Sequence, residues 1–197
     1  MGYERKDHYF KKAKAEGKAS RAAYKILELN EKFHFLRKGA VVVDLGCAPG
    51  SWLKELSEAV GPNGRVVGID LRDLTISLPP NTMFVKGSIE DDVALAAIES
   101  QLPSKVDVVL SDMAPNTSGV AFADAYKSFE LASIALGTCS RLLKKGGSFI
   151  VKIFEGKEVA EYQHMLRKAF SKIVRVVPKA TRKTSGEMYF VCLDHRL

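Results

Sequence analysis

Short, mostly apolar runs recur at residues 41–45, 66–69, 82–86, 106–111 and 148–154, each bounded by Gly, Pro, Asn or charged positions. Runs of this length and make-up are the mark of strands buried on both faces. Between them the apolar spacing lengthens to three and four. Residues 51–60 put Trp52, Leu53, Leu56 and Val60 on one helical face, and Gly61-Pro62-Asn63-Gly64 stops that helix. The same spacing predicts crossover helices over 91–102 and 125–143, the second closing on Lys144-Lys145-Gly146-Gly147, a basic last turn with a glycine stop. Upstream, Ser20 is placed to cap a helix running to about Phe33, with Ala23, Ile26, Leu27 and Phe33 near its apolar face and Arg21 and Lys25 toward its edge. Downstream, a helix over 158–170 is followed by strands at 173–177 and 188–193 with only a loop between them, which predicts an antiparallel pair. The count reaches seven strands.

Strands alternating with helices predict an α/β fold: a mostly parallel sheet covered on both faces, with ligands at the carboxyl ends of its strands. The chain has 197 residues, no internal repeat and no low-complexity linker, so one domain over 1–197 is expected, with 1–19 as a basic, flexible arm. At 46% apolar and 27% charged, the composition excludes collagen-like and wholly disordered classes. No run approaches the roughly 18 apolar residues of a membrane span, and the polar first residues lack the apolar core of a secretory signal. Cys47, Cys139 and Cys192 are odd in number, far apart and unclustered with the four histidines, which suits a reducing cytoplasm and argues against a metal site.

Charge changes the picture through its distribution. The net charge is +7, but residues 1–40 carry +6, residues 41–140 carry −7 and residues 141–197 carry +8. Two basic ends flanking an acidic middle fit a polyanionic partner such as RNA, and equally a solubilising surface.

Three places hold candidate chemistry. The turn Asp44-Leu45-Gly46-Cys47-Ala48-Pro49-Gly50-Ser51 leaves a strand and opens a helix, as a nucleotide-type cofactor loop does. A dinucleotide fingerprint would need glycine where Ala48 and Ser51 stand, so pyrophosphate is poorly supported. Asp70 ends the next strand, where a carboxylate accepts hydrogen bonds from ribose hydroxyls; loop and carboxylate together suit S-adenosyl-L-methionine, which has adenosine but no phosphate. The polar loop from Ser111 through Asp112 to Gly119 leaves the fourth strand at the same edge. Lys152 interrupts an apolar strand and Glu187 opens another, charges that are costly there unless paired or functional. A structural ion pair of Lys152 with Asp112 or Glu187 and a catalytic role both fit that pattern.

With these segments in view, the chain resembles the RrmJ/FtsJ family of ribose 2′-O-methyltransferases over nearly its whole length, in residues 20–26, 44–52, 111–119, 151–156 and 185–191. The resemblance implies a Rossmann-like class I methyltransferase, with a seven-stranded sheet whose last strand is antiparallel. It carries a Lys-Asp-Lys-Glu catalytic tetrad over to Lys25, Asp112, Lys152 and Glu187. With the turn and strand-end readings above, the expected cofactor set is Gly50, Trp52, Asp70, Ser88 and Asp112, although Trp52 fits the core as well as the pocket. The resemblance implies RNA as partner, most often a uridine of large-subunit ribosomal RNA, with transfer RNA and messenger RNA cap as alternatives, and a monomer acting in the cytoplasm. One position departs from the family: where an Asp usually contacts the adenine amino group after the third strand, this chain has Ser88. Two readings compete from outside the family. A small-molecule O-methyltransferase would not need basic ends, and a non-catalytic RNA-binding module would not need the tetrad.

Overall fold

The computed structural model describes residues 22–182 and 185–197. In chain order the elements are α1 (Ala22–Phe33), β1 (Val41–Leu45), α2 (Leu53–Val60), β2 (Arg65–Asp70), β3 (Thr82–Lys86), α3 (Asp92–Ser100), β4 (Val106–Ser111), α4 (Ala121–Leu142), β5 (Leu143–Phe154), α5 (Val159–Ala169), β6 (Phe170–Val176) and β7 (Glu187–His195). The strands form one sheet in the order β3-β2-β1-β4-β5-β7-β6. The first five are mutually parallel, and β7 runs antiparallel to both β5 and β6, inserted between them.

Strand parity sorts the core into two halves. Val43, Val67, Val109 and Phe149 face α3, α4 and α5, where Ile98, Ala135, Tyr162 and others are buried. Val42, Val66, Val108, Ile150 and Val191 face α1 and α2 through Ile26, Leu29, Leu53 and Leu56. Successive side chains on a strand point to opposite faces, so nearly continuous apolar runs are what a sheet covered on both sides requires.

The differences from the expected boundaries have local causes. The expected helix at 125–143 begins four residues earlier, at Ala121, because the Asp124 carboxylate folds the preceding loop back onto the helix: it accepts from the Ser118 amide at 2.7 Å, the Ser118 hydroxyl at 2.8 Å and the Gly119 amide at 3.1 Å. Its basic glycine stop is part of β5 instead. Leu143 pairs with Val106, and the ladder then skips to Val108 and Ser148, so 144–147 is a bulge within the strand that Gly146 turns at φ 74°. Asp91, placed inside the expected third helix, is its cap, accepting from the Val93 amide at 2.9 Å. On α1 the buried residues are Ala23, Lys25, Ile26 and Leu29; Leu27 is half-buried, and Lys25 lies inside the fold instead of at the helix edge. Ser20, Arg21 and the basic arm lie outside the described residues. Among the described residues no helix is long and apolar enough to cross a membrane, and all three cysteines are free and buried.

Candidate active site

The carboxyl ends of β1, β2, β4 and β5 open onto a cleft of about 630 Å³ whose walls include Gly46, Asp70, Ser88, Asp112, Met113 and Lys152. Its floor is the turn after β1. Gly46 has φ 76°, and a Cβ there would stand 2.4 Å from the Met113 side chain, so only glycine lets the two loops meet. Gly50, at φ 107°, makes the same concession to Ile76, and the Thr75 amide donates to the Pro49 carbonyl at 3.1 Å. Residues 71–81, which join β2 to β3 without a helix, thus brace the turn from outside.

Asp70 binds the turn directly. Its Oδ2 accepts from the Ala48 amide at 2.8 Å and its Oδ1 from the Arg72 amide at 2.9 Å. Ser88 lines the cleft together with Glu90, whose amide donates to the Ser88 hydroxyl at 3.2 Å. Glu90 brings a carboxylate to the wall where Ser88 has none. Gly50 and Trp52, expected to bind cofactor, do not line this cleft. Trp52 is buried, donates from Nε1 to the Ala22 carbonyl at 2.8 Å and packs against Tyr189 with ring centroids 6.1 Å apart. Together with Asp44 it lines a smaller cavity of about 210 Å³ that shares Gly46, Ala48 and Asp112 with the cleft.

The four tetrad residues come together, and sheet register explains how. Asp44 is in register with Leu110, Leu110 with Ile150 and Ile150 with Val191. One pleat further toward the carboxyl edge, on the same face, stand Asp112, Lys152 and Tyr189, with Glu187 two residues before Tyr189. Helix α1 covers this row and sends Lys25 down to it. Two ion pairs result: Lys152 Nζ lies 3.0 Å from Asp112 Oδ1 and also donates to the Asp112 carbonyl, and Lys25 Nζ donates to Glu187 Oε1. Both lysines are buried, at 5% and 7% exposure, which makes pairing a requirement. Of the two carboxylates that Lys152 could pair with, it takes Asp112.

Tyr189 joins the pairs. Its hydroxyl donates to Asp112 Oδ1 at 2.5 Å, and Lys25 Nζ sits 5.8 Å from its ring centroid. Burial, together with the charges of Asp112 and Glu187, holds its phenol well above the usual range, so it stays a donor. Sequence reasoning passed over Tyr189 because an aromatic in an apolar strand reads as core. The signal was available in its spacing of two from Glu187, which puts both on one face.

Asp44 is the other residue missed. Among the described residues its two buried carboxylate oxygens have no hydrogen-bond partner, and burial, then the charges of Asp112 and Asp70, push its pKa well above the carboxylate range. A buried acid beside two further carboxylates favours a cationic ligand. S-adenosylmethionine fits it, having a sulfonium and an ammonium group beside an adenosine whose ribose hydroxyls need acceptors such as Asp70.

A doubly wound sheet with an antiparallel seventh strand, and an acidic cleft at its carboxyl edge, define an S-adenosylmethionine-dependent methyltransferase of the Rossmann-like class. Solved structures agree on the fold: the sheet superposes on an Aeropyrum pernix fibrillarin crystallised with bound S-adenosylmethionine, at a TM-score of 0.58 and 17% identity over 80% of this chain and 67% of that one. The chain belongs to the FtsJ-like methyltransferase family, whose family model matches residues 19–195. It is 42% identical over 187 residues to the ribosomal RNA large subunit methyltransferase E of Methanococcus vannielii, covering 95% of this chain and 72% of that protein. It is also 42% identical over 192 residues to the protein of the same name from Nitratidesulfovibrio vulgaris, covering 97% and 94%. A Plasmodium falciparum protein described as a ribosomal RNA methyltransferase superposes with a TM-score of 0.77 and 29% identity, over 89% of this chain and 97% of that one.

Proposed function

We propose that the protein transfers a methyl group from S-adenosylmethionine to a ribose 2′-hydroxyl of large-subunit ribosomal RNA, with Lys152 at the receiving oxygen. The observation that carries this reading is the paired row Asp112–Lys152 and Lys25–Glu187, with both lysines buried, the first pair in the wall of the cleft and the second beyond its lining. The large-subunit methyltransferase E relatives, aligned over nearly all of this chain, favour the ribosomal substrate. The bound cofactor supplies an electrophilic methyl group on a sulfonium. The residues must place the hydroxyl in line behind it and manage the departing proton. Lys152 lines the cleft and is fixed by the carboxylate and the carbonyl of Asp112, so its amine is aimed before substrate arrives. Uncharged, it takes the proton; charged, it stabilises the developing alkoxide. Lys25 and Glu187 orient the ribose, and Asp70 holds that of the cofactor.

Phosphates are held by the basic ends. The loop between β6 and β7 exposes Lys179 and Arg182, and the Lys179 amide anchors it to α1 by donating to Glu28 Oε2 at 2.8 Å. The arm adds Arg5, Lys6, Lys11, Lys12, Lys14 and Lys18. In this reading the whole chain acts as one methyltransferase domain, as a monomer in the cytoplasm. Incubation with labelled S-adenosylmethionine and either free ribosomal RNA or assembled large subunits, followed by mapping of methylated riboses, tests it. One modified 2′-oxygen in large-subunit RNA is the expected result. Label on bases, or on transfer RNA alone, overturns it.

A further inference from the structure

Beside the cleft, the first two turns of α4 present Phe122 and Tyr126 to solvent, at 78% and 49% exposure, four residues apart and therefore on one face of the helix. The core face of α4 is filled by Ala125, Ala132, Ala135 and Cys139, and of the two rings only Tyr126 touches another aromatic among the described residues, Phe129, with ring centroids 6.3 Å apart. Their position is fixed from two sides. Asp124, between them in sequence, ties the helix to Ser118 and Gly119 of the loop that carries Asp112. Ser128 accepts from the Phe154 amide at 3.0 Å, two residues beyond Lys152. Phe122 and Tyr126 lie in the first two turns of a helix that starts at the carboxyl edge of the sheet, the edge onto which the cleft opens, and they stand outside the cleft.

The geometry points to Phe122 and Tyr126 as a stacking platform for an unpaired base of the RNA, a neighbour of the nucleotide being methylated. This rests on the RNA reading above. Charge selects the occupant. Exposed Lys127 lies between the rings in sequence. Exposed Lys157 follows Gly156, which is packed so closely on Ala125 that a Cβ there would stand 2.8 Å from the Ala125 Cβ. Glu130, one turn beyond Tyr126, bounds the patch with a charge that repels phosphate. Lys157 is ion-paired with Glu158 at 3.9 Å, which leaves Lys127 as the charge beside the rings; an aromatic pair with an exposed ammonium group suits a base with its phosphate and does not suit the broad apolar surface of a protein interface. Aromatic faces accept any base, so the platform sets the requirement for an unpaired neighbour and leaves its identity open.

The test compares wild type, Phe122→Ala/Tyr126→Ala and Phe122→Trp/Tyr126→Phe on protein-free large-subunit RNA and on assembled subunits. The alanine variant is expected to raise KM for free RNA by roughly 10-fold or more, with kcat, S-adenosylmethionine affinity and melting temperature near wild type. The aromatic variant restores KM. A single-stranded oligoribonucleotide bearing 2-aminopurine is quenched by wild type and by the aromatic variant, and not by the alanine one. An unchanged KM and unchanged quenching overturn the platform while leaving the RNA reading intact. A defect seen only on assembled subunits overturns it in favour of a protein-docking patch. Wild type that methylates no RNA removes the reading beneath it.

Discussion

Replacing Lys152 with alanine is expected to slow single-turnover methyl transfer by roughly 100- to 10,000-fold while cofactor affinity changes little. The change in melting temperature is expected to be small, because Asp112 keeps the Tyr189 hydroxyl and is partly open to solvent, whereas a fully orphaned buried charge would cost about 3–5 kcal/mol. A variant that melts early yet transfers methyl at near wild-type rate when folded would refute the catalytic assignment. For Asp70, an alanine is expected to weaken S-adenosylmethionine binding by ~1.5–3 kcal/mol in calorimetry, the scale of charge-assisted hydrogen bonds. Unaltered affinity in a folded variant would remove its ribose role. Residues like these were legible in the sequence because a charge in an apolar strand, or a carboxylate at a strand end, contradicts its surroundings. Tyr189 was not singled out because an aromatic in an apolar strand passes for core, and Asp44, although a charge inside the run 41–45, reads only as the start of the glycine-containing turn. Only the fold shows that both are buried at the site.

At the scale of elements, the loop after β4 owes its shape to α4. The three hydrogen bonds into Asp124, the Ser118 amide foremost, hold its carboxyl below the usual range, so the tie is in force at neutral pH and is lost as pH falls through that depressed value. Asp124→Ala is expected to speed hydrogen exchange at Ser118 and Gly119 at pH 7 and to raise KM for RNA, and equal exchange rates in the two proteins would show the loop to be held by other means. Strands β1, β3 and β4 were readable to the residue because each is a short run ended by a turn. The start of β5 was not: Lys144-Lys145-Gly146-Gly147 obeys the local rules for a helix end, and the pairing of Leu143 with Val106 that overrides them is long-range.

The molecule as a whole is pinned at the edge opposite the site by Asp107, which accepts from the Val41 amide at 2.8 Å and pairs with Arg37 and Lys144. Burial alone would raise its pKa, but the bonds from Lys144, Val41 and Arg37 outweigh it and bring it down to about 2. A carboxyl whose pKa is lowered by folding stabilises the fold above its unfolded value near 4 and stops doing so as pH falls toward 2. The melting-temperature gap between wild type and Asp107→Asn is therefore expected to be full at neutral pH and to close between about pH 4 and pH 2; a gap independent of pH would assign it to packing. On the substrate side, neutralising Lys11, Lys12 and Lys14 is expected to flatten the dependence of RNA affinity on salt, and an unchanged slope would leave the arm a solubilising segment. Fold class followed from alternating periods alone. The insertion of β7 between β5 and β6 did not, since a loop between two strands says that they pair and not which further strand one of them joins.

That insertion sets an order of events during synthesis. Every wall of the cofactor cleft, up to Lys152, leaves the translating ribosome before Glu187 does. Until β7 arrives, β5 and β6 have a strand-wide gap between them, Lys25 has no counter-ion from β7, and Asp112 has no phenol to steady it. A nascent chain thus owns the cleft, Lys25, Asp112 and Lys152 before it owns Glu187 and Tyr189, the residues that complete the row. Arrival of one strand closes the sheet and completes the paired row together, so a chain interrupted before Glu187 is expected to carry the cleft without the finished site.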